Sequence, residues 1–102
     1  MGPSTNTDRQ PSITRFALGQ TYATPGAEEA LMIAGQTGLE FLRRHMSGDF
    51  GELADGDAQD NELSMREGFR VLSAYRTAKG QKLWIITEAD RSLTTILLPS
   101  EY

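Results

Sequence analysis

The 102-residue chain has no cysteine, one histidine and one tryptophan. Without cysteine it can form no disulfide, thiol nucleophile or thiolate metal site. One histidine excludes a two-histidine metal site and a histidine relay. No apolar run approaches the roughly 18 residues that cross a bilayer. The N-terminus has no basic-then-apolar signal pattern, so the expectation is a cytoplasmic protein with no membrane partner. A glycine-rich phosphate loop, a nucleophile motif and a cofactor fingerprint are also missing. No cofactor and no metal are therefore expected, and catalysis is the minority reading. Positive charge is scarce: ten Lys and Arg against fourteen Asp and Glu leave a net charge of −4. Binding a nucleic-acid backbone needs a concentrated positive field. The balance disfavours nucleic acid and suits a basic protein partner, since complementary fields speed encounter. Its plainest role is solubility.

What is present suits one small domain with a modest core. Met1–Ser12 carries no large apolar residue but Met1, too little burial to offset the entropy of ordering. Residues 1–13 are read as a flexible tail and 14–102 as the domain. Phe16, Leu18, Gln20 and Tyr22 would share one face of a short edge strand, bent at Gly19. Thr24-Pro25 starts a helix, with Glu28 and Glu29 near the positive end of its dipole. Its apolar stripe is Ala27, Ala30, Leu31 and Ala34, and it ends at Gly35. Thr37-x-x-Glu40 reads as a capping box for a second helix. Leu39, Leu42 and Met46 are its expected buried face, with Phe41 beside it, and Glu40 pairs with Arg44 one turn on. The two helices are expected to form a compact pair. A weaker helix, capped by Asp55 or Asp57, runs through Glu67 on the surface.

The highest apolar density follows. Phe69–Thr77 alternates, Ala78–Gln81 turns, and Lys82–Glu88 is apolar on both faces, which marks a central strand. Trp84 is assigned to the core on this ground. Ala89–Ser92 turns again into Leu93–Leu98. The expected fold is α+β: a three- to four-stranded antiparallel meander with two to three short helices on one face.

Three constellations bear on chemistry. Asp55-Gly56-Asp57-Ala58-Gln59-Asp60 fails as a calcium loop, because the positions that need Gly and Glu hold Asp60 and Arg66. Arg43-Arg44-His45 closes the second helix, where cations suit the dipole; His45 is a lone candidate acid or base. Glu88-Ala89-Asp90-Arg91-Ser92 forms the hairpin tip. It reads as a self-satisfied turn, with Asp90 accepting from backbone N–H groups and Arg91 pairing with Glu88. It also reads as a recognition patch in which Arg91 meets a partner's carboxylate or phosphate. A third reading is catalytic: Glu88 or Asp90 as base, Arg91 stabilising negative charge.

Several segments carry a resemblance: Leu18-Gly19, Ala23–Ala27, His45 with Gly48-Asp49-x-Gly51, Ser73–Arg76, and above all Trp84–Ser92 continuing through Thr94–Pro99. Together they resemble a family of small uncharacterised proteins carried on plasmids and integrative elements of proteobacteria, usually labelled plasmid-related. Some members bear a restriction-enzyme subunit label, but this chain has no methyltransferase or nuclease motif. The resemblance implies a mobile-element context and assigns no functional residue. The leading expectation is a non-enzymatic protein-interaction module, monomeric or a small homo-oligomer, and a candidate inhibitor of a host defence system. Its contact candidates are Glu88, Asp90, Arg91, Tyr75 and Phe50. The runner-up, from the order of helices and meander, is a ribonuclease toxin of the RelE kind. Arg43, Arg44, His45, Arg76 and Arg91 would then gather at an RNA site. A nucleic-acid-binding accessory protein is the third reading.

Overall fold

The computed structural model describes residues 14–102 apart from Ala54; the tail expected over 1–13 lies outside them. Four strands, β1 (Gln20–Ala23), β2 (Val71–Arg76), β3 (Lys82–Thr87) and β4 (Leu93–Leu97), combine with three helices, α1 (Pro25–Ala34), α2 (Gly38–Met46) and α3 (Asp55–Glu67). The fold is α+β. The strand order is β1-β4-β3-β2, and β2, β3 and β4 form the antiparallel meander that their alternation and turns imply. The sheet as a whole is mixed, which corrects the expectation of a purely antiparallel one. β1 runs parallel to β4, with Thr21 opposite Thr94 and Ala23 opposite Ile96. The three helices carry the chain from β1 to β2, which runs in the same direction, and two hairpins then lead to β4. Gly19, at φ 67°, allows the backbone entering β1 to lie against the Arg91–Ser92 peptide, where a Cβ would overlap backbone atoms.

α1 begins as its sequence dictates. The Thr24 hydroxyl accepts from the Ala27 N–H at 3.1 Å, and Gly35 ends the helix in the left-handed region. A partner from the far end of the chain joins the cap. Glu101, in a 3-10 turn over Pro99–Glu101, accepts from the Thr24 hydroxyl at 2.5 Å and from the Gly26 N–H at 3.2 Å.

α2 differs from its sequence reading. Thr37 makes no side-chain cap, and Glu40 accepts instead from Gln36 Nε2 at 2.9 Å. The buried face is Phe41, Leu42 and His45, while Leu39 points out. The cause is the close approach at the helix start: a Cβ on Gly38 would press on the Ile96 side chain. This contact sets the rotation of the helix. Arg44 pairs with Asp49 at 2.7 Å rather than with Glu40.

α1 and α2 cover one sheet face, where Tyr75, Leu83, Ile85 and Ile96 join Ala27, Ala30, Leu31, Phe41 and Leu42 in the main core. Phe16, Phe50 and Val71 form a smaller cluster, with Met65 of α3 against it. α3 lies along β2: the Asn61 amide accepts from the Leu72 N–H and donates to the Leu72 carbonyl, as a neighbouring strand would. Beyond it, Ala74 bonds the backbone of Phe50 and Glu52. The outer edge of β2 is thereby covered. No described helix is long and apolar enough to cross a membrane.

Candidate functional site

His45 is fully buried and sits in a continuous polar chain. Its Nδ1 lies 2.5 Å from Ser73 Oγ and its Nε2 2.9 Å from Thr87 Oγ1. Thr87 Oγ1 is 2.7 Å from Thr94 Oγ1, and Thr94 donates to the Leu18 carbonyl at 2.7 Å. The carbonyl can only accept, so it fixes every proton in the chain. Thr94 gives its proton to Leu18, Thr87 gives its own to Thr94, and Thr87 therefore accepts from His45 Nε2–H. Nδ1 is then bare and accepts from Ser73. Phe16 closes the site, its ring edge-on to the imidazole at 5.0 Å. Burial, reinforced by the nearby Arg91, pushes the His45 pKa down to about 3. The imidazole is neutral, fully partnered and out of reach of solvent.

The hairpin tip is internally bonded. Asp90 Oδ1 accepts from the Ser92 N–H at 3.0 Å and the Ser92 hydroxyl at 2.6 Å, and these bonds hold its carboxyl below the usual range. Arg91 takes a positive φ of 62° and folds back across the tip. Its Nη1 donates to the carbonyls of Phe69, Glu88 and Ala89, and its Nη2 to that of Ser64. Its guanidinium also lies over the Phe16 ring. Arg91 thus ties the tip to the end of α3 and meets the backbone of Glu88, not its carboxylate. That carboxylate pairs with Arg70 at 3.3 Å.

The remaining candidates are dispersed. Phe50 and Tyr75 are buried, which removes them from the surface as contact residues. The Tyr75 hydroxyl donates to the Asp49 carbonyl at 2.6 Å. Arg44 stacks on Tyr75 and pairs with Asp49, and Arg76 pairs with Glu52 at 3.0 Å. Arg43 is exposed on α2. The five residues of the expected RNA site line no common cavity among the described pockets. Among the described residues, no group of three His, Asp or Glu is placed to hold a metal ion.

The notable concavity lies elsewhere, on the sheet face that α1 and α2 leave uncovered. Arg70, Leu72, Trp84, Ile86 and Tyr102 enclose about 230 Å³. Leu72 and Ile86 are cross-strand neighbours; their alternation points them away from the main core, and Ile86 lies buried at the groove's floor. The Tyr102 ring stands edge-on to Trp84 at 5.6 Å as one wall. Arg70 forms another, its Nη1 donating to the Tyr102 hydroxyl at 3.3 Å while Glu88 anchors its Nε. Trp84 is half-buried here rather than enclosed in the core. Through the Arg70–Glu88 pair the groove adjoins a more open hollow formed by Glu88, Ala89, Asp90, Ser92 and Leu93.

Tyr102 stands out in the sequence as a candidate contact aromatic, but Arg70, Leu72 and Ile86 do not. The signal for them was β3 itself: a strand apolar on both faces, with helices enough to cover only one. No family model, curated protein or solved structure matches the chain.

Proposed function

We propose that the protein is a non-enzymatic interaction module that binds another protein through the groove between Trp84 and Tyr102. The observation that carries this reading is the groove itself: an apolar, aromatic-walled recess on the sheet face away from α1 and α2. Tyr, Trp and Arg supply most of the binding energy at protein interfaces, and here one of each stands together. The occupant is a large apolar side chain of the partner, seated on Leu72 and Ile86. Arg70 Nη2, which has no partner among the described residues, would meet a partner carbonyl or carboxylate beside it. Glu88 and Asp90 remain contact candidates at the rim, whereas Arg91 supports the tip from within. The mobile-element resemblance makes a host defence protein the favoured target, with inhibition as the consequence. The ribonuclease reading finds no support in the placement of its residues, since His45 is enclosed and Arg44, Arg76 and Arg91 are engaged internally.

The test is affinity capture from a proteobacterial lysate with the wild type and an Arg70→Ala/Tyr102→Ala variant of unchanged melting temperature. The expected result is a stoichiometric protein partner whose retention falls at least tenfold in the variant. Capture of no stoichiometric partner, or equal retention by both chains, would overturn the proposal. Expression should leave growth and bulk messenger RNA unchanged in a host that lacks the target.

A further inference from the structure

Besides the groove, a second group of exposed large apolar side chains lies on the helical side of the molecule. α1 buries Ala27, Ala30 and Leu31 and turns Pro25, Glu28, Glu29, Met32 and Ile33 to solvent. These outward positions recur at i, i+3, i+4, i+7 and i+8, the spacing of a single helical stripe. Met32 is 74% exposed and Ile33 61%, and Leu39, at the start of α2, is 52% exposed. Both helices bury their inner sides on the same sheet face, so these three residues flank the α1–α2 connection on one outer surface.

Three glutamates outnumber the cations around them. Glu28 and Glu29 lie one turn before Met32 and Ile33, and Glu40 follows Leu39. Among the described residues none of the three enters an ion pair; Glu40 accepts only from the neutral amide of Gln36. Arg43, one turn along α2, and Lys79, in the turn whose Ala78 N–H is held by Gln36, are the nearby cations. Arg15, Arg44, Arg70 and Arg76 are all committed to ion pairs.

We propose that this surface docks a basic amphipathic helix of a protein partner. An apolar patch with a polar rim is the usual mark of an interaction site, and an exposed methionine adapts to varied partner side chains. A helix that presents apolar anchors at i, i+3 or i+4 and i+7 fits such a stripe. Lys or Arg beside its anchors would meet Glu28, Glu29 and Glu40. Other occupants fit worse. A second copy would bring the same three glutamates against each other. Residues 1–12 hold no large apolar anchor but Met1. The surface does not depend on the groove, and each stands or falls by its own variants.

The experiment is a two-dimensional ¹H–¹⁵N NMR titration of the full chain with two designed helical peptides. They share one leucine stripe and differ only in carrying Lys or Glu at the remaining polar positions. The Lys peptide is expected to bind with shifts centred on residues 28–40, and to weaken at least fivefold between 50 and 300 mM salt. Ile33→Asp with Leu39→Ser should abolish binding. Glu28→Gln with Glu29→Gln should weaken it severalfold and flatten its salt dependence. Arg70→Ala/Tyr102→Ala should leave it unchanged. The proposal is overturned if the Glu peptide binds as well, if neither binds, or if the shifts fall on Leu72, Trp84 and Tyr102. It is equally overturned if sedimentation shows the free chain to be a dimer that Ile33→Asp dissociates.

Discussion

His45 has a bond at each ring nitrogen, so removing it affects both partners. His45→Ala leaves Ser73 and Thr87 under-satisfied in a buried site and opens a cavity. The expected loss is about 3 kcal/mol from those two effects together, read from urea denaturation; a loss below 1 kcal/mol would mean that water restores the chain. The depressed pKa also has a pH signature. In the unfolded chain this histidine gains a proton near pH 6.5, while in the folded protein it resists down to about 3. Its contribution to stability is therefore complete above pH 6.5 and declines as the pH falls through that window toward 3. The slope approaches about 1.4 kcal/mol per pH unit between these limits. His45→Gln should flatten the decline between pH 6.5 and 5, above the range where Asp49, Asp90 and Glu101, all depressed by their hydrogen bonds, begin to titrate. Arg91 presents the complementary case on the hairpin tip. Its left-handed backbone costs about 1 kcal/mol and is held by bonds to four carbonyls. A lysine ammonium cannot span that set. Arg91→Lys should lose about 2 kcal/mol, seen as a lowered melting temperature.

At the scale of elements, the two sheet edges are treated differently. β2 would present open N–H and C=O groups, which invite pairing with another chain, but Asn61 and the Phe50–Glu52 segment occupy them. Asn61→Ala should cost about 1–3 kcal/mol and promote concentration-dependent aggregation, measurable by light scattering. Unchanged stability and scattering would show the edge to be protected by other means. Such a substitute strand partner cannot be read from a sequence, because it depends on where α3 comes to rest. The meander, by contrast, was legible: alternation in β2, the double-sided β3 and two turn segments mark it locally. The parallel pairing of β1 was not, since four residues carry little pattern and their register is set by β4 near the other end of the chain. α2 was misread for a simpler reason. Counting His45 as polar hid the Gly38–Phe41–Leu42–His45 stripe and put Leu39 in its place. The candidate site suffered the reverse error. Of the aromatics that suggest contact, Phe50, Tyr75 and Tyr102, the first two are buried and Tyr102 shapes the groove.

Over the whole molecule, the division between inside and outside organises the functional reading. Residues whose chemistry suggests catalysis face inward or bind one another, while two groups of apolar side chains reach the surface, at the Trp84–Tyr102 groove and over Met32, Ile33 and Leu39. Trp84 is the only tryptophan in the chain, so the groove carries its own reporter. The decisive measurement is the fluorescence of Trp84 with and without the captured protein partner, using a partner in which tryptophan is silent or absent. Binding through the groove predicts a blue-shifted emission and acrylamide quenching reduced severalfold on saturation. A saturated complex in which Trp84 emits and quenches as in the free protein would contradict it.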